Sequence, residues 1–467
     1  MAKYIFLAIY IILAVSVIFV ERKSPTEAIM WVLILLCLPY VGVFLYLIFG
    51  TTFSLKMTAH FRNKRLKKKL DIVPQPSVPQ PEGLITENEK RVIKFNEVYN
   101  RSRLTCFDDA VFLTSGKAHY EHLFRDIKNA KEYIFVEFYT IHNDIIGHEF
   151  VRALTEKANE NVTVLVMCDF MANIGTPHSM FRPLIKAGGK VIRIKPYLTH
   201  FRSHRKIVVI DRNIAYIGGM NIGKQYANMH KKKTPWRDTQ IRLEGACTGV
   251  LNECFLRDWL LSARLKEWNY TVSCIEKMKP DAYPLTNDVC QFIMGGADND
   301  KESVKMCYLS MIRSAKKQIR IQSPYFIPDA TILDALKIAS ASGVEVEMII
   351  PGIKASFFLD PVTNYYAGQL LQYGAKVHKY NGYIHAKTML IDNRICCVGS
   401  VNMDIRSLSV DDEICGVFYS EELALRYRDI YNNDIEHSRP YTWEEFSNRS
   451  RFERFRESFF LPLAPLM

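Results

Sequence analysis

One eighteen-residue pattern occurs twice in this chain and limits its possible folds more than any other feature. "HRKIVVIDRNIAYIGGMN" begins at His204 and "HAKTMLIDNRICCVGSVN" begins at His385, and both fit HxKxxxxDxxxxxxG followed by a small residue, any residue and Asn. The flanking segments repeat as well. Ahead of the first copy, "AHYEHLFRDIKNAK", "YIFVEFYT", "IGHEFVRALTEKANE", "VTVLVMCDF" and "KVIRIKP" alternate helical and strand periodicity. Ahead of the second, "ESVKMCYLSMIRSAK", "QIRIQSPYF", "ATILDALKIASAS", "VEVEMIIPG" and "KVHKY" fill the same slots. Short apolar strands between amphipathic helices predict an α/β fold whose sheets are covered on both faces. Duplication predicts two such lobes related by a pseudo-twofold. Glu137 and Gln322 fall at matching points, as do Asp144 and Asp329.

Inside each copy the spacing has a chemical meaning. Side chains two apart on a strand share a face, so His204 pairs with Lys206 and His385 with Lys387. The residues after each Lys, "IVVI" and "TMLI", are apolar and place each His and Lys where a buried strand enters a cleft. Gly218-Gly219 and Gly399-Ser400 permit close backbone approach. Asn221 and Asn402 lie just beyond, with amides able to donate to a phosphate oxygen. Asp211 and Asp392 complete the motif and are counted with its catalytic set, yet each sits an odd number of residues from its His. On a continuous strand they face away, which assigns them a structural role.

Composition narrows the partner. A formal charge of +12 and a pI near 9.0 suit an anionic ligand, whether nucleic acid, acidic lipid or phosphorylated substrate. The eleven cysteines show no CxxC spacing and predict reduced, buried thiols. Residues 4–20 and 29–50 carry no charge and flank the short turn "ERKSPTEA". At about 1.5 Å per residue they reach roughly 25 Å and just over 30 Å, near the hydrocarbon thickness of about 30 Å. The expectation is a membrane hairpin over 1–50, with Pro39 and Gly42 leaving a kinked or re-entrant second helix open. A basic juxtamembrane segment ("KMTAHFRNKRLKKKL") and a Pro-rich linker ("DIVPQPSVPQPEG") fill 51–105, and lobes follow over 106–280 and 281–467. The excess of Lys and Arg after the second run orients the lobes to the cytoplasm.

Taken with "GGMNIGKQY", "PWRDTQIRLEG", "SPYFIPD", "GSVNMDIRSL" and the second apolar run, the two motifs resemble bacterial cardiolipin synthases of the phospholipase D superfamily, in order and over nearly the whole chain. The resemblance implies two phospholipase D-like lobes whose HxK motifs meet at one cleft, with His204 as nucleophile and His385 as acid, then base. It also implies acidic residues that orient each His, Glu413 for His385 and Asp238 for His204. The family's RSLxLNxE stretch reads "RSLSVDDE" here, putting Asp411 where Asn is expected. The implied reaction joins two phosphatidylglycerol molecules into cardiolipin and releases glycerol at the cell membrane. A phospholipase D-type hydrolase giving phosphatidic acid, or transfer to another alcohol, is the alternative. Lys206, Lys387, Asn221 and Asn402 can hold the equatorial phosphate oxygens, so neither metal nor cofactor is expected. No HxxxH helix, DxD cluster suited to magnesium or P-loop is read in the sequence. Nucleic acid is not an expected partner, because no motif for base stacking or groove reading is present.

Overall fold

The strand that follows each HxK lies in the middle of a sheet, because Ile207–Ile210 and Thr388–Ile391 are apolar on both faces and buried throughout. In the computed structural model, which describes residues 10–13, 15, 25–46, 78, 83–195, 202–229, 235–263, 286–296, 302–353 and 356–466, each of these strands joins the parallel and antiparallel halves of a mixed sheet. In the first lobe Ile207–Ile210 is antiparallel to Tyr133–Phe138, which runs parallel to Thr163–Asp169 and on to Lys190–Ile194. Its other side continues through Ile214–Gly218, Gln240–Glu244 and Asp109–Leu113, completing seven strands. The second lobe repeats this order around Thr388–Ile391 and adds edge strands Thr105–Cys106 and Ser438–Tyr441, for nine.

The repeat is visible at single positions. Asp144 caps the helix Ile145–Asn159 and Asp329 caps Ala330–Ala341, each accepting a backbone N–H three residues on. Glu137 and Gln322 both lie buried near the ends of equivalent strands. The two sheets share one core: Phe135, Ile207, Ile217 and Ile241 pack with Leu390, Val398, Ile414 and Phe418, and with Trp259 and Tyr427 of helices Cys247–Ser262 and Glu421–Glu436. Further helices cover the outer faces through two separate clusters. The described cysteines are free, and all but Cys37 are buried.

Asp211 and Asp392 take left-handed backbone angles, φ 52° and 53°, at the turn leaving each motif strand. Their carboxylates accept the N–H groups of Lys131, Glu132 and Tyr133, and of Lys316, Lys317 and Gln318. These bonds fasten the neighbouring strand's entry, at the end away from the histidines. That geometry fits the structural role expected from their odd spacing to each His.

Two differences from the sequence expectation concern the first hundred residues. The end of the segment expected to be linker carries a helix, Glu87–Tyr99, closed at its start by a capping box on Thr86 and Glu89 and packed on the second lobe. Asn96 there hydrogen-bonds Gln291 and Tyr419. Second, the apolar run after residue 29 is not one long helix. It breaks at Leu38 into Pro25–Cys37 and Pro39–Leu45, and the pieces fold back until the Trp31 and Tyr46 rings stand 5.3 Å apart. Pro39 opens the second piece, and Gly42 lies so near the Ile34 carbonyl that a Cβ would sit 2.7 Å from it. Among the described residues no helix is long and apolar enough to cross a membrane. Most of the first apolar run, the basic juxtamembrane segment and most of the Pro-rich linker lie outside the described residues.

Candidate active site

The two histidines reach one cleft because each is tied to the opposite lobe. Ser203 forms a parallel bridge with Asp412, and the His204 N–H donates to the Asp412 carbonyl at 2.9 Å. On the other side Trp236–Arg237 runs parallel to Tyr383–Ile384, and the His385 N–H donates to the Arg237 carbonyl at 2.6 Å. These ties decide the acid pairing, which is the reverse of the expectation drawn from the resemblance. His204 Nδ1 lies 2.8 Å from Glu413, and His385 Nδ1 lies 2.6 Å from Asp238. Each acid stands next to the bridging residues of the other lobe, so interval along the chain is a poor guide to its partner. Every imidazole is thus oriented across the lobe boundary.

Both Nδ1 atoms face carboxylates, so each ring carries its proton there and turns Nε2 toward the cleft. The cavity measures about 320 Å³, and His204, His385, Asn221 and Asn402 line it. The Asn221 amide donates to Tyr226 at 3.2 Å and its oxygen accepts the Thr140 N–H, while the Asn402 amide donates to Ser407 at 3.4 Å. Lys206 and Lys387 are fully buried, with Nζ atoms donating to the His204 and His385 carbonyls at 2.7 and 2.5 Å.

Burial dominates the electrostatics. It holds His204 well below its ordinary pKa and lowers His385 to about 3, helped in both cases by the nearby lysine charges. Burial likewise lowers Lys206 to about 8 and Lys387 to about 7, against the opposing pull of Glu413 and Asp238. The two acids differ. Burial would raise Asp238, but His385 and Lys387 outweigh it and hold the carboxyl below its usual range, whereas Glu413 is raised by burial to about 7 despite Lys206. Ser400 also donates to Glu413 through a short contact.

The cleft contains residues that the paired motifs do not announce. Tyr139 packs edge-on against His204 at 4.8 Å, and Trp236 lies 4.9 Å from His385. Tyr325, Asp404 and Arg406 line the cleft and fall in segments that carry the family resemblance, which is the signal that could have found them. Arg202 also lines it, and nothing in its sequence context marks it. Asp411, the departure from the family pattern, accepts from the Arg202 N–H at 3.1 Å and pairs with Arg406 at 2.8 Å. Burial raises it to about 6. Among the described residues no three His, Cys, Asp or Glu side chains are grouped to hold a metal ion.

Comparison with known proteins settles the family. A model described as cardiolipin synthase, PLD-like domain, matches residues 123–232 and 308–435. The chain is 33% identical to the major cardiolipin synthase ClsA of Bacillus subtilis, over 99% of this chain and 98% of that one. The chain belongs to the phospholipase D-type cardiolipin synthases. A cardiolipin synthase of Listeria monocytogenes is 32% identical with the same coverage, and a phospholipase D-nuclease N-terminal model matches residues 8–50. A phosphatidylserine synthase from Haemophilus influenzae superposes with a TM-score of 0.66 at 15% identity, over 81% of this chain and 100% of that one, which establishes the fold. Family membership makes this chain a phosphatidyltransferase with two phospholipase D-like lobes.

Proposed function

We propose that the cleft moves a phosphatidyl group from one phosphatidylglycerol to another through a phosphohistidine on His204. The observation that carries this reading is the pair of imidazoles meeting in one cleft, each held by a carboxylate of the opposite lobe. The His204 Nε2 lone pair attacks phosphorus, and the glycerol oxygen leaves with a proton from His385. The bound phosphodiester's negative charge beside Lys206 and Lys387 offsets what depresses His385, allowing it to carry that proton. His385 then takes the proton from the hydroxyl of the second phosphatidylglycerol, whose oxygen attacks phosphorus and frees His204. Glycerol and cardiolipin are the products. Lys206, Lys387, Asn221 and Asn402 hold the equatorial oxygens as charge gathers on them.

The order of the histidines is supported by the difference between their acids. Asp238 stays ionised and stabilises an imidazolium at His385, as a general acid requires. Glu413, raised to about 7, is a weaker counter-charge and leaves His204 a neutral nucleophile. Membrane attachment by the N-terminal hairpin, with the lobes on the cytoplasmic side, is supported by the uncharged runs, the basic stretch that follows and the match over residues 8–50.

The test is the product mixture of the purified enzyme on phosphatidylglycerol vesicles. One phosphodiester is exchanged for a similar one, so cardiolipin and glycerol should form in equal amounts, and excess glycerol should drive cardiolipin back to phosphatidylglycerol. Phosphatidic acid as the main product would make water the acceptor and establish the hydrolase reading instead.

A further inference from the structure

The last helix, Arg451–Phe460, has an amphipathic face that the catalytic account leaves unused. Phe452, Phe455 and Phe459 are 60 to 67% exposed and lie within one narrow stripe at helical spacing. Phe357 and Phe358 extend the patch, at 63% and 55% exposed, and both rings pack edge-on against Phe460 at 5.6 and 5.3 Å. Five exposed phenylalanines in one place are unusual for a surface bathed only by water.

The patch adjoins the cleft. Phe460 belongs to a small core with Ile327 and Leu359, and both of these line the cleft that holds the histidines. Leu359 directly follows Phe358 and opens the helix Leu359–Leu371. Cationic groups are set among the aromatics: Arg456 stacks on the Phe357 ring at 4.6 Å and donates to its carbonyl, while Arg454 donates to the carbonyl of Ser447, the last residue of the preceding short helix. Over residues 449–459 four arginines face two glutamates. Aromatic rings interleaved with arginine suit the headgroup layer of an anionic bilayer, where rings enter the acyl boundary and guanidinium groups meet phosphate.

We propose that this aromatic face docks on the bilayer and holds the cleft against it, a second membrane contact separate from the N-terminal segment. The proposal rests on the lipid-substrate reading above. Lipids could then enter from the acyl boundary beside Leu359 without leaving the membrane.

The test uses the full chain. In Phe455→Asp/Phe459→Asp, which alters only exposed side chains, kcat/KM on phosphatidylglycerol vesicles should fall about tenfold or more, the scale of one or two lost buried rings. Turnover of a short-chain phosphatidylglycerol kept below its micelle concentration should stay within about twofold, since no surface has to be engaged. Equal activity on vesicles, or equal loss on both substrates, would overturn the proposal. So would a change from dimer to monomer in sedimentation, which would assign the face to a second copy of the chain. A Phe455→Trp variant should shift its emission to the blue on addition of phosphatidylglycerol vesicles, and an unmoved spectrum would also overturn it. That readout needs no turnover, so it separates failure of the docking face from failure of the lipid-transfer reading.

Discussion

The crossed acids give the two histidines separable chemistry. If His204 attacks and His385 protonates the leaving oxygen, a phosphatidyl donor with a good leaving group such as p-nitrophenol no longer needs the acid. Asp238→Asn should then lose about 10²- to 10⁴-fold with phosphatidylglycerol and recover most of it with the activated donor, as general-acid contributions of that size do. Glu413→Gln should stay impaired with both donors, because it orients the nucleophile. The opposite split, seen in steady-state rates on the two donors, would make His385 the nucleophile and His204 the acid. The lysines set the pH dependence. Their charge is present while they are protonated and is lost as pH rises through about 7 for Lys387 and about 8 for Lys206. If that charge stabilises the transition state as proposed, kcat/KM should fall on the alkaline side across this window. A profile that stays level to pH 9 would contradict the role given to them. Most of these residues were legible in the sequence, since spacing alone identifies His204, Lys206, Asn221 and their counterparts. The partner of each His was not legible, because the bridges at Ser203–Asp412 and Trp236–Tyr383 are contacts between segments far apart in sequence.

At the scale of elements, the same bridges make neither lobe complete. His204 belongs to the first lobe and Glu413 to the second; His385 and Asp238 reverse that arrangement. A chain divided between Ala263 and Thr286, with the halves produced together, should regain activity, because the shared core of Phe135, Ile217, Val398 and Phe418 can bring them together. Either half alone should be inactive, and turnover by one half would show that the lobes do not share acids. The strand and helix order followed directly from periodicity, and the Asp144 and Asp329 caps from position in the repeat. Glu87–Tyr99 did not, since a helix of polar composition following a Pro-rich stretch has few apolar positions to announce it. The fold-back at Leu38 was only half visible: Pro39 and Gly42 marked an interruption, but Trp31 meeting Tyr46 is a tertiary contact.

For the whole molecule, the arrangement is a single candidate active site between repeated lobes, in which two sheets supply one histidine each and exchange their acids. Each buried lysine is tied to the backbone carbonyl of its own histidine, and an aromatic face lies beside the cleft. Family and fold were readable in the sequence because the motif occurs twice and its lobes repeat around it. Residues such as Arg202 and Tyr139 were not, because only the fold brings them to the cleft wall. The central claim is that one phosphatidyl group passes through His204, and the direct measurement is to trap it. Enzyme mixed with phosphatidylglycerol radiolabelled at phosphorus, quenched under alkaline conditions that preserve phosphohistidine and cut into peptides, should carry label on the peptide containing His204. The label should vanish in His204→Ala. Label on the His385 peptide that survives His204→Ala, or rapid cardiolipin formation with no labelled peptide at any time, would contradict the account.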